Sequence, residues 1–164
     1  PSPAGGCCFL TDEVYASRFH DLILHLPMEA APSEKDVLLL KVGRHFRISP
    51  GLKLVVGREE AENNFLTHFF PGGPFLEALG FSGPLAYVHR HAGAGDEEPS
   101  DEQLSIMASI VARYGKGRTE KRVVVESRRG EETRSLDVAP LQDDGELEPY
   151  RISEKFDAQD LKRR

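Results

Sequence analysis

The stretch Gly43–Leu66, GRHFRISPGLKLVVGREEAENNFL, constrains the fold more than any other part of the chain. Pro50-Gly51 reads as a tight turn: proline fixes φ at the first central position, and glycine is expected to take a positive φ at the second. Before the turn, Phe46 and Ile48 fall on one face while His45 and Arg47 fall on the other. After it, Leu52, Leu54 and Val56 share a face and Lys53 shows on the opposite one. This period of two is the signature of a strand pair. Gly57-Arg58 turns the corner into a helix whose first turn carries Glu59, Glu60 and Glu62, where carboxylates complement the positive end of the helix dipole. Ala61, Phe65, Leu66, Phe69 and Phe70 form one apolar stripe, and Pro71-Gly72-Gly73-Pro74 stops the helix. The outward side of the unit carries Arg44, Arg47, Lys53 and Arg58, candidates for holding something anionic.

The flanking sequence supplies partners for this unit. Thr11 and Asp12 are able to cap a helix bearing Tyr15, Phe19, Leu22, Ile23 and Leu26 on one face, ended by Pro27. Ser33 and Asp36 stand at capping-box spacing before Val37–Leu40, a short helix or strand that periodicity does not decide. Residues 71–84 read as a Gly- and Pro-rich loop with one helical turn, Leu85–His91 as a strand. On that strand Leu85, Tyr87, His89 and His91 lie on one side. Ser100 and Gln103 form a capping box for a helix with Leu104, Met107, Ala108, Val111 and Ala112 buried and Gly115 closing it. Lys121–Ser127 and Arg134–Val138 pair through a turn at Arg128-Arg129-Gly130. Asp143-Asp144-Gly145 is a further turn, and Glu148–Ser153 a short edge strand. The expectation is an α+β domain, a mostly antiparallel sheet built from hairpins and packed with about three helices, over residues 11–153. Residues 1–10 read as a linker and 154–164 as a charged, frayed tail. The chain opens on PSPAGG without an initiator methionine, which suggests an excised domain or fragment.

No apolar segment approaches membrane-spanning length, and two adjacent cysteines, Cys7 and Cys8, make no disulfide framework; a reducing, cytoplasmic setting is the simplest expectation. The formal net charge is −6, which opposes nucleic-acid binding as a bulk property. Distribution matters more than the sum. Acids gather at Asp96-Glu97-Glu98, Asp101-Glu102 and Asp143–Glu148; bases gather at 41–58 and 113–134. From composition alone, ordinary solvated surface is the favoured account of those bases.

The run from Ser49-Pro50-Gly51 through Leu54-Val55-Val56-Gly57-Arg58 to Glu62-Asn63 and Leu66 resembles the core motif of the RNA-binding domain of NFACT proteins. PSPAGGCCFLTD, KVGRHF, Gly83-Pro84 with Tyr87-Val88-His89, and the helix after Pro99-Ser100 follow in the order of a variant found at the C-terminus of bacterial proteins related to tRNA thiouridylases and 4-thiouridine synthases. The resemblance spans roughly residues 1–127. It implies an RNA-binding, and specifically tRNA-binding, module attached to an N-terminal ATP-binding domain.

Four groups of residues carry possible chemistry. Cys7 matches the PAGGC motif, where a cysteine of the sulfur-transferring enzymes can carry a persulfide; Cys8 departs from the family, which more usually has leucine there. A buried, inert thiol is the competing account. No ATP-pyrophosphatase loop of the SGG type is present, so neither a complete active site nor a cofactor is expected in this chain. His89 matches the histidine of the family's Trp-x-His motif, with Tyr87 in place of tryptophan. With His91 it is able to ligate a metal or stack on a base, but no third ligand stands at a characteristic spacing and no metal site is expected. At the Gly57-Arg58 corner, backbone N–H groups favour phosphate, yet Arg58 has Glu62 four residues on as an intramolecular partner. Asn63 matches the family motif and equally suits a bond to the hairpin backbone. Arg113, Lys116, Arg118 and Lys121, beside Gly115 and Gly117, complete the basic set. The expected surface for RNA phosphates joins Arg44, Arg47, Lys53, Arg58 and Asn63 to Arg113, Lys116, Arg118 and Lys121, with His89 between. The alternatives are an interaction patch of Phe69, Phe70, Phe75 and Phe81, and sulfur transfer through Cys7.

Overall fold

The computed structural model describes residues 12–91 and 98–152. The linker with Cys7, the loop 92–97 and the charged tail lie outside the described residues. In chain order the elements are α1 (Glu13–His25), α2 (Glu34–Leu39), β1 (Arg44–Ser49), β2 (Leu52–Val56), α3 (Glu60–Phe69), β3 (Phe75–Ala78), β4 (Leu85–Arg90), α4 (Asp101–Arg113), β5 (Val123–Arg129), β6 (Glu132–Val138) and α5 (Asp144–Leu147). The six strands form one sheet in the order β1-β2-β4-β3-β5-β6. Every neighbouring pair is antiparallel. This is the α+β architecture expected from the alternating hairpins and helices.

The caps act where the sequence places them. Asp12 accepts from the Val14 and Tyr15 amides. The Ser33–Asp36 box starts α2, which resolves Val37–Leu40 as helical. The Ser100–Gln103 box starts α4.

The sheet has two unlike faces. One packs Phe46, Leu54, Val88, Leu76 and Val125 against Met107, Ile110 and Val111 of α4. Burying each of those three helix side chains contributes about 1.5–3 kcal/mol, so α4 anchors this side. On the other face Val55, Phe75 and Leu85 meet Leu66 of α3 and Phe70 just after it. Beyond them that face turns polar, and α1 covers it with a small cluster of Tyr15, Leu22 and Leu26 on Leu40.

Four expectations need correction. Residues 75–78 are a central strand, not a helical turn: β3 lies between β4 and β5. A strand buried on both faces loses the period-two pattern, and four residues between Gly-Pro segments leave little other signal. Gly51 does not take a positive φ; the turn is instead accommodated by a register shift between Arg47 and Ser49, a form common in hairpins. Asp143-Asp144-Gly145 opens the short helix α5, with Asp143 accepting from the Glu146 amide. Of the expected edge strand Glu148–Ser153, the described residues, which end at 152, make a single bridge, Phe46 to Arg151, beside β1.

The phenylalanine patch does not assemble on the surface either. Phe70 and Phe75 are buried, and Phe70 stacks on Tyr87 with ring centroids 4.2 Å apart. Only Phe69 and Phe81 of the four are exposed.

Candidate nucleic-acid interface

The corner between β2 and α3 is set by one glycine and one asparagine. Gly57 N–H donates to Leu85 O at 2.9 Å, and Asn63 Oδ1 accepts from Leu85 N–H at 3.2 Å. A Cβ on Gly57 would stand 2.1 Å from Asn63 Oδ1. Asn63 is therefore a structural latch between α3 and β4, bonding the Leu85 backbone rather than that of the hairpin. Gly57→Ala is expected to cost about 1–3 kcal/mol through the clash. Asn63→Ala is expected to cost a similar amount, about 1–3 kcal/mol, by leaving the Leu85 N–H without its acceptor. Urea unfolding of the double variant should show less than the sum, because the second change removes the first one's clash.

This corner forms one wall of an open cleft of about 1330 Å³. Arg44 enters from the start of β1, Arg58 and Asn63 from the corner, and Arg113, Lys116 and Arg118 from the end of α4 and the loop after it. Two basic runs more than fifty residues apart in sequence thus share one depression. The close contact that brings the walls together is between Gly83 and Gly115, where a Cβ on the former would lie 3.0 Å from the Cα of the latter.

The cleft cations are not equivalent. Arg58 is engaged by Glu62, with its Nη2 2.8 Å from Oε1. Burial pushes the Glu62 carboxyl up, but hydrogen bonds from Arg58 and the Gly43 backbone outweigh it and hold the pKa below the usual value. Arg113 donates to Leu141 O and to Asp144. Arg44, Lys116 and Arg118 have no carboxylate partner among the described residues. Lys116 and Arg118 are exposed; Arg44 instead lies over the ring of Tyr114, 4.6 Å from its centroid. Glu59 and Glu60 also line the cleft and temper its potential. Lys121 is exposed but stands outside the cleft.

Arg47, Lys53 and His89 do not join this surface. They lie on the sheet's second face, where α1 and α2 cover them. Outward on a bare hairpin became inward once a helix packed there. Lys53 is 1% exposed. Arg47 pairs with Asp21 of α1 and donates to His91 Nε2 at 2.8 Å. Arg18 of α1 donates to Leu40 O and Gly43 O, at 2.9 and 2.6 Å. His89 Nε2 donates to Asp36 Oδ1 at 2.6 Å. Burial pushes the Lys53 ammonium down to about 7; Asp21 and Asp36 pull it back up while Arg47 and Arg18 push it further down. Burial, and then the Arg47 charge, take His91 down to about 3. His45 and His89 are also lowered, first by burial. Burial raises Asp36, but the bonds from His89 and Ser33 prevail and hold it low.

Asp36 is the third group beside His89 and His91 that sequence spacing did not reveal: polar atoms of the three lie within 4.8 Å of one another. The two positive charges of Arg47 and Lys53 beside them oppose a cation. The Nε2 atoms are engaged, His89 by Asp36 and His91 by Arg47, while both Nδ1 atoms are buried without a hydrogen-bond partner; the trio reads as part of the charged, hydrogen-bonded network on this face.

Among the described residues no helix is long and apolar enough to cross a membrane. Comparison with curated proteins finds no match. Among solved structures, the C-terminal part of the fibronectin/fibrinogen-binding protein from Streptococcus suis is similar in fold, with a TM-score of 0.55 and 15% identity over 83% of this chain. This chain spans 61% of that structure's length. Residues 43–151 match the family described as the NFACT protein RNA-binding domain, from the start of β1 to the bridge beside it. With that match over most of its length, the chain belongs to the NFACT RNA-binding domains.

Proposed function

We propose that the domain holds structured RNA, tRNA foremost, by its phosphate backbone in the cleft between the β2–α3 corner and the loop after α4. The observation that carries this reading is the convergence of Arg44, Lys116 and Arg118, three cations without carboxylate partners among the described residues, in one depression of an otherwise acidic chain. Arginine and lysine that are not committed internally are free to displace counterions from phosphates. In the same proposal the domain is the C-terminal part of a cytoplasmic tRNA-thiolating protein, whose ATP-binding domain supplies the chemistry. The order of motifs along residues 1–127 supports that parentage.

Titration with tRNA across salt tests the reading. About three phosphate contacts give a slope near −2.7 in log K against log salt, or roughly a 40-fold loss between 50 and 200 mM. Arg118→Glu should weaken binding and reduce the slope by about 1 or more. Lys121→Glu, outside the cleft, should do much less. A salt-independent affinity would remove phosphates as the contact.

A further inference from the structure

We infer that Arg44 and Tyr114 form a stacking platform for one unpaired RNA base, so that the cleft selects RNA with an unpaired nucleotide over continuous duplex. The inference rests on the RNA reading above and names the RNA class that the same cleft takes.

The argument starts from how Arg44 is held. Two other arginines on the cleft walls, Arg58 and Arg113, are fixed by carboxylates. Arg44 is fixed by a ring, its guanidinium carbon 4.6 Å from the Tyr114 centroid. Tyr114 is itself immobilised. Its ring packs on Phe46 with centroids 5.9 Å apart, Phe46 belongs to the main core, and Arg151 hydrogen-bonds the Tyr114 side chain. Core, ring and guanidinium therefore form a stepped column ending in the cleft, which both Arg44 and Tyr114 line.

A cation recruited only for charge gains little from being held over an aromatic ring. A guanidinium held against an aromatic face is a preorganised plane, and such planes stack on unpaired bases. In a duplex the base faces are already covered by neighbouring pairs. An unpaired nucleotide offers its face, and the exposed Lys116 and Arg118 in the same cleft are available to take its flanking phosphates. Preference for the unpaired form thus comes from the plane, and general affinity from the charges.

The test uses two RNA hairpins of equal stem length, one with a single bulged 2-aminopurine and one fully paired with 2-aminopurine in the stem. The wild-type chain should bind the bulged hairpin about tenfold more tightly, in keeping with the worth of one stacked base, and should quench its fluorescence. Arg44→Lys keeps the charge and loses the plane. It should bring the two affinities to within about twofold and abolish the quenching. Tyr114→Phe should retain the preference, and Tyr114→Leu should lose it. Equal wild-type affinity for both hairpins, or discrimination unchanged in Arg44→Lys, overturns the platform while leaving phosphate binding standing. Failure to bind either hairpin at low salt overturns the RNA reading itself.

Discussion

Asp36→Ala will destabilise the domain by about 2–4 kcal/mol, the combined cost of a lost helix cap and of a buried donor left without its charged acceptor. Two losses combine. The capping box of α2 disappears, since Asp36 accepts from the Ser33 amide and hydroxyl. The His89 Nε2–H, paired across 53 residues of sequence, is left buried without its acceptor. The positive groups Arg47 and Lys53 also lose a counter-charge from the same face. Ser33→Ala, which removes only the cap, should cost about 1 kcal/mol, so chemical unfolding of the two variants separates the cap from the network. A loss for Asp36→Ala no greater than that for Ser33→Ala would mean the His89 bond contributes nothing. The pH dependence points the same way. His45, His89 and His91 have folded pKa values below their unfolded ones, so the unfolded chain takes up more protons below about pH 6.5. The histidine contribution is therefore fully present above that pH and is lost on acidification, by up to about 1.4 kcal/mol per pH unit for each histidine, through the window ending near 3 for His91. Asp36, also depressed, adds its loss below about pH 4.

The hairpin, the caps and the alternation of Leu85–His91 were legible because each is written in local spacing. The β3 strand was not, because burial on both sides erases alternation and leaves a short apolar run indistinguishable from a helical turn. The candidate surface divided along a related line. Period two separates the faces of a strand but does not say which face meets solvent. Arg47 and Lys53 read as outward-facing charged residues on a hairpin, yet α1 covers that face and brings Asp21 to Arg47. A signal did exist: Arg18 lies on the same helical face as Tyr15 and Leu22, and a cation within an apolar stripe needs a polar partner. The expected surface already joins Arg44 to Lys116 and Arg118, but nothing in the sequence marks the cleft that holds them. Arg44 and Lys116 are brought together by the sheet order and by the close approach of Gly83 to Gly115, neither of which has a local signature.

Lys53→Met will raise stability at neutral pH by about 1–3 kcal/mol, the opposite sign to Asp36→Ala, although both residues belong to one buried network. The reason is charge balance. Asp21 and Asp36 face Arg18, Arg47 and Lys53, so the lysine is the surplus cation. Its folded pKa, about 7, is below its unfolded value near 10.5. Between those two values the unfolded chain binds the extra proton, and stability rises with pH. Below about 7 the ammonium is carried in both states and its burial is fully unfavourable; above about 10.5 it is neutral in both and the penalty is gone. The gain from methionine should therefore be largest near pH 7 and vanish toward pH 10.5, a trend that urea unfolding at a series of pH values reads directly. Methionine fills a volume close to that of the lysine stem, so packing changes little. Because Lys53 lies on the covered face, the salt dependence of tRNA binding should be unaltered in this variant. A destabilised Lys53→Met would show that the two carboxylates require the lysine; a changed salt slope would show that the buried face communicates with the cleft. Either result would undo the division of this domain into one face that supports and one cleft that binds.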